Sequence, residues 1–371
     1  MNVNLSVFGK EERQHSPSVS EIAASGDWGT VVDFCYLSNK YFPTRAILDE
    51  LSHDLEHLVK TYPSMQTKQV GLVHQLTGLN DEYVAVGNGA SELIQIVVKN
   101  FGRKYIMPFP SYMEYENVMV DNKKEVCYLP YVEANGFNLD VNALIELAHK
   151  EKADAVVLPN PNSPTGAIIP REDLFRLLKE LSHFDLVLID ESFIEFSSED
   201  RSKIPTLLPH LAKYPNLIVM RSMGKDYGAC GIRIGFVATA HRTRLEAIRR
   251  ELPIWNVSPL AERFMQLVAK SPNEYEQARL RCIRATQQLV RDLSAMPQLK
   301  VFPTYSNFVL FKMLGSQNST FVRDELLKRH GFYVRDCKSK RGLGDKFIRV
   351  GAHTEENNAK LVAALKEILA N

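Results

Sequence analysis

Three residues in the chain could together do chemistry: a lysine, a carboxylate and an arginine. Lys225 follows the apolar run 217–220, and Arg233 lies eight positions further on, beyond a glycine-rich stretch. Asp190 ends a second apolar run, 186–189. A buried amine and a buried carboxylate at the ends of core strands are costly unless something pairs with them. An aldehyde cofactor with a protonatable ring nitrogen and a phosphate would use all three groups. Pyridoxal 5'-phosphate (PLP) is therefore the leading hypothesis for the cofactor.

The elements that would position these residues alternate along the middle of the chain. Short apolar runs predict buried strands, and a helix is predicted over 171–182, because Pro170 is a start signal and four leucines share one face. Strand–helix alternation of this kind is typical of a mostly parallel sheet covered on both faces. Ligands of such sheets bind at the carboxyl ends of the strands, which is where Asp190 and Lys225 fall. The predicted strands are 83–86, 105–107, 155–158, 186–189, 217–220 and 235–238.

The pattern changes after Pro253. A long helical stretch over 259–296 leads into short strands and then into a C-terminal amphipathic helix, for which Thr354 is the expected N-cap. This predicts a smaller α+β domain. We expect an N-terminal arm over 1–45, a large domain over 46–258 and a small C-terminal domain over 259–371.

Composition limits the classes of function. The chain has 371 residues, of which 45% are hydrophobic and 24% charged, with a net charge of +1. These values fit a globular protein of two domains and give no electrostatic reason to expect nucleic acid or an acidic membrane as a partner. The five cysteines lack C-x-x-C spacing, and the N-terminus has no apolar targeting segment. We therefore expect a reduced, cytoplasmic protein with no metal site and no membrane span.

Two loops and the segment around Lys225 each have an alternative interpretation. The loop 87–92, GNGASE, joins a strand to a helix whose first N–H groups favour an anion such as phosphate, although a plain turn explains it equally well. The loop 160–166, NPNSPTG, can be a proline-pinned turn without any function. A nucleoside triphosphatase motif around Gly224-Lys225 is excluded, because Asp226 replaces the Ser or Thr that must follow the lysine.

Taken together, five segments resemble a known family. GNGASE, PFPSY, NPNSPTG, LVLIDESF and SMGKDYGACGIRIG occur in this order. They resemble the fold-type-I PLP-dependent enzymes of the class I/II aminotransferase superfamily, in the branch of histidinol-phosphate aminotransferase and threonine-phosphate decarboxylase. The resemblance implies an α/β fold: a large domain with a mostly parallel seven-stranded sheet flanked by helices, and a smaller α+β C-terminal domain.

The resemblance also implies which residues bind the cofactor. Lys225 would hold PLP as a Schiff base and move the proton at the substrate Cα, while Asp190 would pair with the ring nitrogen. Tyr62 would reach the cofactor phosphate from a neighbouring subunit, which implies a homodimer with shared active sites. The remaining cofactor contacts would come from Gly89, Ala90, Ser91, Tyr112, Asn162, Ser163, Ser222 and Arg233.

For the substrate, the resemblance implies two arginines and an asparagine. Arg349 matches the arginine that binds the α-carboxylate, and Arg335 matches one that in this branch helps to bind a substrate phosphate. Asn39 would belong to the arm that faces the substrate.

The chain departs from the usual pattern at two positions near the cofactor's O3' oxygen. Ser163 stands where transaminases commonly have Asn, and Phe193 stands where they commonly have Tyr. Phe193 and the segment 255–257 resemble the threonine-phosphate decarboxylases. The bond broken at Cα is the one held perpendicular to the cofactor ring, so the orientation of the substrate decides between transamination and decarboxylation.

Two reactions and one non-catalytic role are therefore considered. The first choice is an aminotransferase that moves an amino group between an α-keto acid and an amino acid, with phosphorylated, histidinol-phosphate-like substrates included. The alternative is a PLP-dependent decarboxylase of a phosphorylated amino acid. A non-catalytic PLP-binding protein is the third hypothesis, and the intact set of Lys225, Asp190 and Arg233 argues against it.

Overall fold

The computed structural model describes residues 3–8, 16–23 and 28–370. The predicted N-terminal arm over 1–45 thus lies partly outside the described residues. No helix among those described is both long and apolar enough to cross a membrane. Within the same residues, no group of three or more His, Cys, Asp or Glu side chains is arranged to hold a metal ion.

The chain forms three sheets from thirteen strands in the described residues. The largest has seven strands in the order β2-β8-β7-β6-β5-β3-β4, and β8 runs antiparallel to both of its neighbours while the other pairs are parallel. The strands are β1 (Val32–Asp33), β2 (Val84–Asn88), β3 (Lys104–Phe109), β4 (Glu125–Pro130), β5 (Ala155–Pro159), β6 (Leu186–Asp190), β7 (Leu217–Ser222), β8 (Ile234–Ala238), β9 (Leu299–Val301), β10 (Phe308–Met313), β11 (Phe332–Tyr333), β12 (Arg335–Asp336) and β13 (Phe347–Gly351).

Helices cover both faces of the large sheet and one side of the smaller one. They are α1 (Val19–Ile22), α2 (Arg45–Lys60), α3 (Gln66–Thr77), α4 (Gly89–Asn100), α5 (Met113–Asp121), α6 (Val141–Glu151), α7 (Arg171–Glu180), α8 (Met223–Asp226), α9 (Arg242–Glu251), α10 (Pro259–Ala269), α11 (Pro272–Ser294), α12 (Ser319–His330) and α13 (Glu355–Leu369). The predicted α/β architecture is present: a large domain with a mostly parallel seven-stranded sheet flanked by helices, and a smaller C-terminal domain.

The smaller sheet lies in the C-terminal part of the chain. Its strands are antiparallel in the order β12-β13-β10-β9, and α11, α12 and α13 pack against it. The predicted N-cap of the last helix is present, since Thr354 accepts a hydrogen bond from the Asn357 amide. β1, which lies within the predicted arm, pairs in parallel with β11 and so ties the N-terminal region to this domain.

Three details differ from the sequence-based expectation. β4 was not among the predicted strands; it is an edge strand of the large sheet and is only partly buried. The predicted helix over 259–296 is two helices, α10 and α11, because Pro272 begins the second one and lacks the N–H that a helix interior needs. The apolar side chains of α10, among them Phe264 and Val268, pack in the core of the large domain. The domain boundary at residue 259 stays a prediction.

Candidate active site

Most of the predicted site residues line a cavity of about 180 Å³ at the carboxyl edge of the large sheet, to which the small domain contributes Arg335 and Arg349. We call this cavity the cleft, and its walls include Lys225, Asp190, Arg233, Tyr112, Arg335 and Arg349. A second cavity, of about 440 Å³, shares Ser192 and Ser222 with the cleft but is lined by neither Lys225 nor Asp190. The cleft is therefore the candidate active site.

Lys225 lies on α8, the short helix that follows β7. Its backbone carbonyl accepts a hydrogen bond from the Asn39 amide at 2.8 Å, and the Asn39 Nδ2 donates to the Asp226 carbonyl at 3.1 Å. The Lys225 Nζ lies 5.9 Å from the centroid of the Phe193 ring. Asn39 itself is buried and does not line the cleft. Its observed contacts hold the lysine segment, whereas the prediction gave it a contact with the substrate.

Asp190 ends β6 and is only 7% exposed. Its Oδ2 accepts a hydrogen bond from the Tyr115 hydroxyl at 2.8 Å, and its Oδ1 accepts one from the Ser192 amide at 2.9 Å. Burial raises the pKa of Asp190 above its ordinary value, although these hydrogen bonds and the charge of Lys225 act in the opposite direction. A cationic ring nitrogen beside this carboxylate would offset the cost of its burial.

The start of α4 forms a cradle for an anion. Ala90, Ser91, Ser222 and Arg233 line this end of the cleft, and the Arg233 Nη2 donates to the Ser91 Oγ at 3.3 Å. Gly89 has φ +71°, and a Cβ there would lie 2.6 Å from the Arg233 Nη2. Glycine thus lets the guanidinium approach the positive end of the helix, and the two together favour a phosphate.

Arg349 and Arg335 occupy paired positions on two neighbouring strands. They are directly opposed in the antiparallel pair β12–β13, so their side chains leave the same face of the small sheet. Arg349 donates to the Ser163 Oγ at 3.1 Å and to the Cys35 carbonyl at 2.6 Å. Its buried Nε has no hydrogen-bond partner among the described residues. Arg335 donates to the hydroxyls of Ser16 and Ser339.

The remaining walls of the cleft are aromatic or small. Tyr112 precedes α5, and burial raises its pKa to about 12, so its hydroxyl stays protonated at neutral pH. Phe193 packs edge-to-face on Phe308, with ring centroids 5.2 Å apart. The Arg349 guanidinium lies 5.5 Å from the centroid of the Phe308 ring. The substrate side of the cleft thus combines apolar rings with fixed cations.

Two predicted cofactor residues lie away from the cleft of this subunit. The Asn162 amide nitrogen donates to the Pro110 carbonyl and the Thr165 Oγ1, and its oxygen accepts from the Ser111 hydroxyl. Its side chain therefore braces the loop, and Ser163 is the neighbour that lines the cleft. Tyr62 is 77% exposed, and its ring packs against the tilted ring of Trp255 with centroids 4.3 Å apart. Its predicted contact with a second subunit remains a prediction.

Four residues of the site were not singled out from the sequence. Tyr115 and Ser192 bond to Asp190, Cys35 accepts from Arg349, and Lys340 lines the cleft. Tyr115 could have been found, since it lies three residues after Tyr112 at a helical spacing that shares a face. Ser192 could also have been found, since it follows Asp190 by two residues and an Asp side chain often accepts a hydrogen bond from the amide at this spacing. Cys35 and Lys340 carry no such signal.

The comparison with known families agrees with this geometry. The family model for class I and II aminotransferases matches residues 31–365. The chain therefore belongs to the class I/II aminotransferase family, and it is a PLP-dependent enzyme of that family. The branch predicted from the motifs is also confirmed, because histidinol-phosphate aminotransferases and threonine-phosphate decarboxylases are both among the proteins it resembles.

Individual relatives cover nearly the whole chain. The L-serine phosphate decarboxylase of Campylobacter jejuni is 33% identical over 364 residues, which are 95% of this chain and 93% of that protein. The structure of a decarboxylase from Sulfurospirillum multivorans has a TM-score of 0.86 at 30% identity and covers 96% of this chain and 92% of that one. The histidinol-phosphate aminotransferase of Clostridium acetobutylicum has a TM-score of 0.83 at 26% identity, covering 92% of this chain and all of that one.

The residues of the cleft fit PLP. The cradle at Gly89 suits a phosphate, the buried Asp190 suits a cationic ring nitrogen, and the Lys225 amine suits an aldehyde. Lys225, Asp190, Arg233, Ser222 and the first N–H groups of α4 would hold the cofactor. The individual roles of these residues stay predictions, which the experiments below test.

Proposed function

We propose that the protein is a PLP-dependent decarboxylase of a phosphorylated amino acid of the O-phospho-L-serine class. This reverses the order of the two reactions drawn from the sequence, where an aminotransferase came first. The alternative is better supported by the relatives, since the L-serine phosphate decarboxylase of C. jejuni matches 95% of the chain at 33% identity.

The observation that carries the proposal is the pairing of Arg335 with Arg349. Two guanidinium groups directly opposite each other on neighbouring strands repel. A phosphate carries a charge of about −1.5 to −2 at neutral pH, so a phosphate held between the two guanidinium groups would relieve this repulsion. It would also accept the hydrogen bond that the buried Nε of Arg349 still has to give, because guanidinium groups bind phosphate through parallel hydrogen bonds. The α-carboxylate of the substrate is then not clamped by either arginine.

When bound, PLP supplies an electron sink for the pair of electrons left at the substrate Cα. Asp190 would stabilise the positive charge on the ring nitrogen. The Phe193 ring, which packs on Phe308, lines the cleft and would exclude water there. Loss of CO₂ would break the bond between Cα and the carboxylate and leave its electron pair at Cα, to which the Lys225 amine would deliver one proton. The product from O-phospho-L-serine is O-phosphoethanolamine.

The chain selects this bond by holding the phosphate. If Arg335 binds the phosphate, the carboxylate is not confined to the plane of the cofactor ring and can turn perpendicular to it, which favours loss of CO₂. If the arginines instead clamp the carboxylate in the plane, the Cα–H bond is exposed and transamination follows. Phe193, which lacks the hydroxyl of the usual tyrosine, agrees with the decarboxylase pattern.

A product assay tests the proposal. The holoenzyme is incubated with O-phospho-L-serine, with and without an α-keto acid, and CO₂, phosphoethanolamine and pyridoxamine phosphate are measured. We expect CO₂ and phosphoethanolamine in equal amounts, with no dependence on the keto acid. Pyridoxamine phosphate in amounts matching substrate consumption, without CO₂, would contradict the proposal and restore the aminotransferase.

Removal of Arg335 should weaken the binding of the phosphorylated substrate. In Arg335→Met, we expect the KM for O-phospho-L-serine to rise roughly 30-fold or more, since truncating a buried charge partner costs about 2–5 kcal/mol. The KM for unphosphorylated L-serine should change far less. Steady-state kinetics with both substrates measure the difference, and Arg284→Met, at an exposed ion pair with Glu199, serves as the matched control. An equal rise in the KM of both substrates would show that Arg335 does not bind the substrate phosphate.

We also propose that the protein is a homodimer joined through α2. Leu48, Leu55 and Val59 lie on one face of this helix and are 45%, 48% and 76% exposed. The exposed rings of Tyr62 and Trp255, which contact each other, continue the surface beyond the end of the helix. A contiguous apolar surface of this kind is typical of a protein interface. A second copy bound here would bring Tyr62 to its partner, as the sequence predicted.

Disruption of this apolar surface should produce monomers. We expect the native protein to have twice the chain mass of 42.1 kDa, and Val59→Glu to run at the mass of a single chain, because it places a charge in the interface. Light scattering coupled to size-exclusion chromatography gives both masses. Val120→Glu, at an exposed apolar position on α5, is the control and should leave the mass unchanged. A monomeric native protein would refute the dimer.

A further inference from the structure

We propose that Lys340 is the third cation of the substrate site and that, with Arg335 and Arg349, it selects an amino acid carrying a phosphate dianion as well as an α-carboxylate. This inference rests on the proposed function and adds one residue to the substrate-binding site. Lys340 has no role in the motifs by which the family resemblance was drawn.

Lys340 is placed in the cleft by a turn that is fixed at both ends. Its amide donates to the Cys337 carbonyl at 2.9 Å, and the Cys337 amide donates to the Phe347 carbonyl of β13 at 3.1 Å. The next residue, Arg341, forms an ion pair with Glu116 of α5 at 2.8 Å and lies 4.2 Å from the centroid of the Tyr128 ring. The turn therefore bridges the two domains, and Lys340 lines the cleft together with both arginines.

The charges around the cleft match a substrate with three negative charges. Five cationic side chains and one carboxylate line it. Lys225 and Arg233 are the ones predicted to serve the cofactor, which leaves three cations for the substrate. A phosphate monoester carries a charge of about −1.5 to −2 at neutral pH, and an α-carboxylate adds −1.

Two carboxylates near the turn are held by partners other than Lys340. Asp336 accepts hydrogen bonds from Ser319 and Thr320 of α12, at 2.7 Å each. Glu116 is paired with Arg341. The acids closest to Lys340 along the chain and across the domain interface are thus engaged elsewhere.

The groups whose charge acts on Lys340 are Arg335, Arg349, Cys337 and Cys35. Burial raises the pKa of both thiols, so they stay neutral at physiological pH. Burial, followed by the charges of the two arginines, lowers the pKa of Lys340 to about 7. Below this pH the amine is protonated and attracts a dianion. As the pH rises through 7 the free enzyme loses this charge, so a bound dianion must restore it by drawing in a proton, and affinity falls.

Sulfate is a probe that isolates this group, because it stays dianionic over the whole range from pH 6 to 9. The Kd of sulfate for the holoenzyme is measured by isothermal titration calorimetry at constant ionic strength, for the native protein and for Lys340→Met and Lys340→Arg. For the native protein we expect the Kd to rise above pH 7, approaching tenfold per pH unit. Lys340→Arg, whose charge persists, should bind tightly at every pH.

Lys340→Met should bind sulfate about tenfold or more weakly at pH 6, with a Kd that no longer depends on pH, since a hydrogen bond to a charged group is lost. Lys338→Met, an exposed lysine on the same turn, is the matched control and should behave as the native protein. A native pH dependence in Lys340→Met, or no binding of sulfate to the native holoenzyme, would overturn the inference. Failure of the proposed function is seen separately, in the products formed from O-phospho-L-serine.

Discussion

Lys225→Ala should lower turnover about 10³-fold or more, because it removes both the amine that tethers PLP and the group that transfers a proton at Cα. The Lys225 carbonyl keeps its bond to the Asn39 amide, since the substitution changes only the side chain. The loss should therefore appear in kcat, while the thermal stability stays close to that of the native protein. Rapid-quench measurement of CO₂ release gives the rate.

The same variant has a second, covalent readout. Borohydride reduction of the native holoenzyme should leave a pyridoxyl group on Lys225, and the Ala variant should carry none at any lysine. Lys213→Ala, at an exposed lysine, is the control and should match the native protein in both assays. Full activity in Lys225→Ala, or a pyridoxyl group fixed at another lysine of the native protein, would contradict the assignment.

Asp190→Asn should lower kcat roughly 10²- to 10³-fold, since it keeps the shape of the side chain but removes the negative charge opposite the ring nitrogen. The amide oxygen can still accept a hydrogen bond from Tyr115 or from the Ser192 amide, so little structural change is expected. Steady-state kinetics measure the effect, and PLP content is checked by absorbance after denaturation.

Two further variants distinguish the effect of the Asp190 charge from the effects of its hydrogen bonds and of an Asp-to-Asn change elsewhere. Tyr115→Phe removes one hydrogen bond to the carboxylate and should lower kcat by a smaller factor than Asp190→Asn does. Asp140→Asn is the control, because Asn caps the start of α6 as well as Asp does. An Asp190→Asn variant with native kcat would show that the carboxylate does not support the cofactor.

Much of the site was predictable, because its residues follow strands that can be recognised as short, continuous apolar runs. The runs that end at Asp190 and precede Lys225 are apolar over four consecutive residues, and strands of this composition can only be buried on both faces of a sheet. Once the strands were recognised, the rule that ligands bind at their carboxyl ends brought the lysine, the acid and the cradle at Gly89 to one edge.

Side-chain direction in the loops was not predictable. Asn162 and Ser163 are adjacent in sequence, yet the first bonds to Pro110, Ser111 and Thr165 while the second faces the cleft. Two of these partners, Pro110 and Ser111, lie 52 and 51 residues away in the chain, so the sequence near Asn162 does not reveal them. Asn39 was expected to face the substrate, and the bonds it makes to the Lys225 segment depend on how the arm crosses the large domain.

Lys340 illustrates a limit of a different kind. In the sequence it belongs to a charged stretch, CKSKRG, which is typical of an exposed turn. Its place in the cleft follows from Arg341, which anchors the turn to Glu116 across the domain interface. The order of the two reactions was equally out of reach, because it depends on which bond at Cα stands perpendicular to the cofactor.

Isotopic labelling shows directly which bond at the substrate Cα the enzyme breaks. O-phospho-L-serine labelled with ¹³C in the carboxylate and with deuterium at Cα is turned over in ordinary water and followed by NMR and mass spectrometry. Our account predicts that the ¹³C is released as CO₂ and bicarbonate while the deuterium stays on the phosphoethanolamine product. Loss of the deuterium to solvent, with the ¹³C retained in a keto acid, would mean that the enzyme breaks the Cα–H bond and is an aminotransferase.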